Sequence, residues 1–186
     1  EPGESVQGWR GRVPGYGGAM QSERPAVAGI DIDGVIADPA HRLHFIERRP
    51  RDWRNFFAHA YADPPLVAGI AVVNDLIRRG ITPAFVSGRP DYLRRTTVKW
   101  LREQDLPADV LYLRARGDFR PAPDLKLEIY TRLAQEFEIT QIVDDDQRVV
   151  ARLRDSGFEV RHADWFKPDE RDAKALTEAQ DESGRS

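Results

Sequence analysis

From about residue 26 to residue 160, short apolar runs alternate with longer stretches of helical periodicity. The runs at 26–32, 81–86, 110–113, 141–143 and 158–160 have the length of strands. The stretches 67–79, 90–103, 125–137 and 146–156 repeat apolar residues every three or four positions and read as helices. Gly80 and Gly157 stand where helix C-caps fall. Strands spaced by helices of this length predict βαβ units. The expected fold is therefore α/β, a Rossmann-like parallel sheet with helices on both faces. Residues 37–65 break the rhythm and are expected to form a small flap over one edge. At about thirty residues the segment is too short for a large cap domain.

The ends show other patterns. Residues 1–24 are rich in Gly, Pro and polar residues without periodicity, and are expected to be a flexible leader, with Met20 a candidate natural start. Residues 169–186 are highly charged and are expected to fade from a loose helix into a disordered tail. That leaves 25–168 as one folded domain, within the usual size for a chain of 186 residues. The absence of cysteine excludes disulfide frameworks, thiolate zinc sites and cysteine nucleophiles. A net charge of −3 makes the chain no polycation. Its basic residues are nearly all arginine, which codon bias and phosphate handling explain equally well. No run reaches the ~18 apolar residues of a membrane helix, and the N-terminus lacks a secretory core. A cytoplasmic location is expected.

Three strand runs end in chemistry. The first ends in Asp31-Ile32-Asp33-Gly34, where glycine lets the chain leave the sheet and bring both acids to one edge. The second ends in Ser87-Gly88-Arg89, the fourth in Asp144-Asp145-Asp146, and Lys126 opens the helix before that fourth strand. The carboxyl tips of parallel strands share one edge, where open α/β sheets place their sites. Each motif alone has a plainer use: Asp-Gly and Ser-Gly are ordinary turns, and an aspartate cluster caps a following helix. Together they suit phosphoryl transfer. Asp31 would attack phosphorus, and Asp33 would move the leaving group's proton, for which its pKa should rise toward neutrality. Asp31, Asp33, Asp144 and Asp145 are candidate Mg²⁺ ligands. Ser87 would donate to a phosphoryl oxygen, and Lys126 would compensate the carboxylates.

This set resembles the haloacid dehalogenase superfamily of aspartate-nucleophile phosphatases, over about residues 26–165. Within it the sequence is most similar to the 3′-phosphatase domain of phage and bacterial polynucleotide kinase/phosphatases. Arg42, eleven residues after Asp31, matches that family's substrate-phosphate arginine, and Ser87-Gly88-Arg89 keeps the arginine of its second motif. Thr96-Thr97 with Trp100-Leu101, Gly117-Asp118-Phe119-Arg120, Lys126-Leu127-Glu128-Ile129-Tyr130 and Gln147-Arg148-Val149-Val150 carry the likeness further. The resemblance implies Arg42, Ser87, Gly88 and Arg89 at the substrate phosphate, Mg²⁺ as cofactor, and removal of 3′-phosphates from polynucleotide ends. One departure is Ala122, where the family commonly has an aspartate four residues before the lysine; Asp118 and Asp124 are the candidate substitutes. No G-x-x-x-x-G-K-[ST] segment occurs, so the likeness implies a phosphatase-only chain or a kinase, and possible ligase, on another polypeptide.

The missing lid suits a nucleic-acid end, DNA or RNA, as substrate. Arg48, Arg49, Arg51 and Arg54 interleave with Trp53, Phe56 and Phe57 in the flap, a pattern that fits either phosphate and base contact or a small core. His41 and His44 lack a third nitrogen ligand for a metal. Two other readings remain: a small-molecule nucleotidase, since D-x-D-G-V-[IL]-A-D also occurs in deoxyribonucleotidases, and a non-catalytic module that binds phosphate or a cation.

Overall fold

The computed structural model describes residues 24–47 and 49–167, and the expected leader and tail lie outside them, apart from Arg24. Among these residues, five strands form one parallel sheet: β1 (Ala26–Ile30), β2 (Thr82–Pro90), β3 (Val110–Arg114), β4 (Glu138–Asp144) and β5 (Val160–His162). Their order is β3-β2-β1-β4-β5, so the chain builds outward from β1 and then returns to its other side. Every pairing is parallel, with Ile30 opposite both Phe85 and Val143. The three chemistry-bearing tips thus belong to adjacent central strands.

Strand alternation separates two cores. In β1, Ala28 and Ile30 face one side while Val27 faces the other. Phe85 of β2 joins the first set, and Ala84 and Val86 join the second. Helices α2 (Val67–Arg78) and α3 (Arg94–Glu103) cover the first face through Val73, Leu76, Trp100 and Leu101. Helices α4 (Ala122–Glu136) and α5 (Gln147–Asp155) cover the second through Ile129, Tyr130, Leu133, Val150 and Leu153. The expected α/β sheet with helices on both faces is what the chain forms.

Element ends differ from the sequence expectation where local signals were outvoted. Helix α4 starts at Ala122 rather than 125, because Pro121 at the N-cap and Pro123 in the first turn need no amide hydrogen bond there. Strand β4 begins at Glu138, directly after the helix, because Pro25 and the edge of β1 receive it. Gly80 and Gly157 do close helices, with φ of +77° and +89°. No helix among the described residues is long and apolar enough to cross a membrane.

The 37–65 segment folds as a small flap, a 3₁₀ turn (Ala40–Phe45), the short helix α1 (Trp53–Ala58) and a second 3₁₀ turn (Ala60–Ala62). A bridge between Ala37 and Pro65 closes its neck. Its aromatics serve a core: Phe56 and Phe57 are buried with Leu43, Ile46 and Leu93, and Trp53 packs against them. Asp52 caps α1 by accepting from the Asn55 amide at 3.0 Å.

Helix α2 meets the turn after β1 through Gly69. A Cβ there would lie 1.8 Å from the Val35 carbonyl oxygen, a backbone atom that cannot swing aside. Gly69→Ala should therefore lower stability by about 3 kcal/mol. Urea unfolding measures this, and an unchanged midpoint would show that α2 is not seated so closely.

Candidate active site

The first tip is shaped by a turn. After β1, the Ile32 carbonyl accepts from the amides of Ile36 and Ala37, each at 2.9 Å, and Gly34 takes a left-handed φ of +78°. A Cβ on Gly34 would sit 2.1 Å from an Asp145 carboxylate oxygen, which would have to shift, and the left-handed backbone itself favours glycine. The turn sends Asp31 and Asp33 toward one edge but to different partners.

Asp31 enters a buried cluster of acids around one lysine. Lys126 Nζ donates to Asp31 Oδ2 at 2.7 Å and to Asp144 Oδ2 at 2.6 Å. All three residues are almost wholly buried. The lysine lies one turn inside α4, which is placed by Tyr130 packing closely on Gly29; a Cβ at Gly29 would meet that ring at 2.3 Å. Burial pushes the Asp31 carboxyl up to about 7, against the pull of Lys126 and with a further push from Asp144. Burial also disfavours the Lys126 charge, but Asp144 and Asp31 outweigh it and hold the ammonium well above its ordinary pKa.

Asp145 completes the cluster. Carboxylate oxygens of Asp31, Asp144 and Asp145 come within 4.8 Å of one another. Asp145 Oδ1 is buried without a hydrogen-bond partner, and burial followed by Asp31 and Asp144 pushes its carboxyl well up. Three close carboxylates exceed the charge of one lysine, and their oxygen donors suit a hard cation. The residues present therefore fit a divalent metal. Asp146, the third acid of the run, caps α5 by accepting from the Arg148 amide at 2.9 Å. The aspartate run thus divides between capping and the cluster.

Asp33 lies on the other side of the turn, between two buried arginines. Arg42 Nη2 and Arg89 Nη2 each donate to Asp33 Oδ1 at 2.6 Å, and Arg89 Nε spans both its oxygens. One sequence expectation is corrected here. A rise of Asp33 toward neutrality does not occur: burial does push it up, but Arg42 and Arg89 prevail and bring it down to about 2. The Asp33 carboxylate also stands apart from the three that converge.

Asp63 joins the same network, and no sequence signal marked it. Its carboxylate accepts from Arg42 Nε at 2.7 Å, Arg42 Nη2 at 2.8 Å and Arg89 Nη2 at 2.6 Å. His41 Nε2 lies 2.9 Å from its Oδ1, and Trp100 Nε1 donates to its backbone carbonyl at 2.8 Å. In sequence it precedes Pro64-Pro65, where aspartate reads as a turn residue. Phe56 packs on the Arg42 guanidinium, 4.2 Å from ring centre to the guanidinium carbon. One nitrogen of each arginine, Nη1, is buried without a partner.

Ser87 is buried at the β2 tip, where its hydroxyl accepts from the Arg89 amide at 3.3 Å. Gly88 lies between them, with open space beside its Cα except for Arg114 Nη2 at 4.0 Å. Neither substitute for the missing aspartate touches Lys126: Asp118 pairs with Arg120 at 2.6 Å, and Asp124 lies 3.6 Å from Arg152. The lysine is held by Asp31 and Asp144 instead.

A doubly covered parallel sheet with an acid–lysine cluster at its carboxyl edge is the architecture of the haloacid dehalogenase-like fold class. The chain belongs to the family of polynucleotide kinase PNKP phosphatase domains, whose model matches residues 25–164. A chain of the Pnkp1/Rnl/Hen1 RNA repair complex superposes with a TM-score of 0.62 at 20% identity, over 80% of this chain and 45% of that one. The chain thus spans less than half the length of that relative. A class C acid phosphatase from Bacillus anthracis gives 0.58 at 14% identity, over 85% and 80% of the two chains. A haloacid dehalogenase-like hydrolase from Streptococcus pneumoniae gives 0.55 at 11%, over 84% and 92%. These likenesses establish the fold. No curated protein matches the sequence significantly.

Removing Asp63 would leave two buried guanidinium groups sharing one carboxylate. Asp63→Ala should destabilise the protein by about 3–5 kcal/mol. A chemical-denaturation midpoint within error of the parent would mean that the arginines find other partners.

Proposed function

We propose that the protein is a Mg²⁺-dependent polynucleotide 3′-phosphatase that works through an aspartyl-phosphate on Asp31. The observation that carries this reading is the separation of Asp31 and Asp33 by one turn into two networks, one rich in carboxylates and one rich in arginine. Asp31 Oδ1 accepts from the Ile32 amide at 2.7 Å and Oδ2 from Lys126, so the carboxylate is fixed in direction before substrate arrives. A fixed nucleophile and fixed charges are the main resource for phosphoryl transfer.

In the first step an Asp31 oxygen bonds to phosphorus as the bond to the 3′-oxygen breaks. Once Arg42 and Arg89 are drawn to the substrate phosphate, the Asp33 carboxylate loses the contacts that keep it ionised. It takes up a proton from solvent and delivers it to that leaving oxygen. A substrate phosphate competes for Arg42 and Arg89, each of which has a spare Nη1, and this frees the Asp33 carboxylate to move. In the second step water attacks the acyl-phosphate, Asp33 takes its proton, and Asp31 is restored with release of phosphate. The Ser87 hydroxyl and the Gly88 backbone border the phosphate, and Lys126 offsets charge on Asp31 and Asp144. Asp31, Asp144 and Asp145 would hold Mg²⁺, which when bound balances the excess carboxylate charge and withdraws charge from the phosphoryl oxygens.

Family membership and the likeness to a chain of an RNA repair complex support nucleic-acid ends as substrate, and a kinase or ligase partner as company. A small flap in place of a large cap domain suits a polymer as substrate. Asp31→Asn should lower phosphate release by at least ~10³-fold, from the loss of covalent catalysis, with the thermal melt retained. Chelation should abolish activity and Mg²⁺ restore it. The deciding assay is phosphate release from 3′-phosphorylated DNA and RNA oligonucleotides, 5′-phosphorylated strands and 3′-mononucleotides. A kcat/KM on mononucleotides equal to or above that on oligonucleotides would replace the polynucleotide reading with that of a nucleotidase. An undiminished rate in Asp31→Asn would end the nucleophile assignment.

A further inference from the structure

We propose that Tyr92 and Phe119 form a base-stacking platform at the mouth of the site, for the single-stranded nucleic acid that leads to the terminal phosphate. The proposal rests on the polynucleotide reading above and adds where, and by what contact, the strand is held. Single exposed apolar residues are ordinary on a protein surface. Here two aromatics stand on adjoining loops that leave β3 and β2, the strand that carries Ser87-Gly88-Arg89.

The loops adjoin because β2 and β3 pair as far as Pro90 opposite Arg114, so the two segments leaving these strands emerge side by side. They are also bonded: the Arg116 amide donates to the Asp91 carboxylate at 3.1 Å. Tyr92, next to Asp91, is 67% exposed, while its neighbour Leu93 is buried in the flap core. Phe119 is 52% exposed.

The Phe119 loop is well braced. Buried Arg114 donates from Nη1 to the carbonyls of Asp118 at 3.2 Å and Arg120 at 2.7 Å. The Asp118 side chain then accepts from the Arg120 amide at 3.1 Å. With the carbonyls on both sides of Phe119 bound to the same guanidinium, the loop is held with its ring outside. A ring kept in water by a rigid loop has apolar area available for a partner. The flap aromatics, by contrast, are consumed by their own core.

Place and charge favour a nucleic-acid strand. Tyr92 lies three residues beyond Arg89, a span of about 10 Å at full extension, within reach of the nucleotides next to the terminal one. Arg95 and Arg116 are exposed near the same loops and make no ion pair among the described residues. Arginine charge for the backbone and aromatic faces for the bases are the two requirements of sequence-tolerant single-strand binding. A net charge of −3 makes this local basic character a property of the site edge rather than of the whole chain.

The test uses the full chain with Tyr92→Ala, Phe119→Ala, the double variant and Tyr92→Phe. Substrates are 3′-phosphorylated single-stranded DNA and RNA, and the same DNA made abasic over its last few positions. Each alanine should raise KM on the base-bearing strands by about 5-fold or more, and the pair by up to ~100-fold, with kcat little changed. Tyr92→Phe should behave as the parent, since the ring is kept. On the abasic strand, parent and double variant should be alike.

An unchanged KM for the double variant, with the parent still preferring oligonucleotides to mononucleotides, overturns the platform and leaves the polynucleotide reading standing. An equal loss on the abasic strand also overturns stacking, because it places the effect on backbone or loop structure. A parent with no preference for oligonucleotides overturns the reading beneath it.

Discussion

Lys126 lies between Asp31 and Asp144, and the order of the site depends on that buried double contact. Without the ammonium, two carboxylates at neighbouring strand tips would repel one another in a medium that screens poorly. With it, each acid is fixed in position while the cluster retains more negative than positive charge. That excess, together with the unpartnered oxygen of Asp145, is what gives the cluster its fit for a divalent cation. The fold supplies the lysine from α4, whose position is set by Tyr130 against Gly29 on the central strand.

A second network mirrors the first with the charges reversed in role. There two arginines are the scarce, directed groups, and Asp33 and Asp63 neutralise them. Both networks are largely buried, with the Asp33 carboxylate partly exposed, and both start from one four-residue turn. Gly34 is the device that separates them, since its left-handed backbone angle is strained for a residue with a side chain. Asp33 therefore has arginine neighbours and a low pKa, while Asp31, two residues away, is pushed up by burial, with Asp144 adding to the rise against the pull of Lys126. Nearby residues of one type have been given opposite electrostatic surroundings.

Much of the fold could be read in the chain because strands and helices leave different periods in hydrophobicity. The runs at 26–32, 81–86 and 141–143 became the three central strands, and their tips carry Asp31, Ser87 and Asp144. Element ends were less legible. The start of α4 lies among prolines that are harmless in a first turn. The start of β4 is set by the neighbouring strand that receives it. The flap aromatics satisfied two readings equally until their neighbours were known, and burial with Leu43, Ile46 and Leu93 makes them core.

The sequence by itself determined the α/β class and which strands carry acids, hydroxyl and lysine, because spacing and residue type are local properties. Tertiary structure alone decided which charges meet. Asp63 became the anchor of Arg42 and Arg89 only when the flap folded back over β2, and Asp33 fell to that arginine pair instead of the acid cluster. Asp118 and Asp124, both near Lys126 in sequence, found other partners, while Asp31, ninety-five residues away, became its ligand. Partner choice depends on distance and burial in three dimensions, and side chains far apart along the chain leave no periodic trace of either.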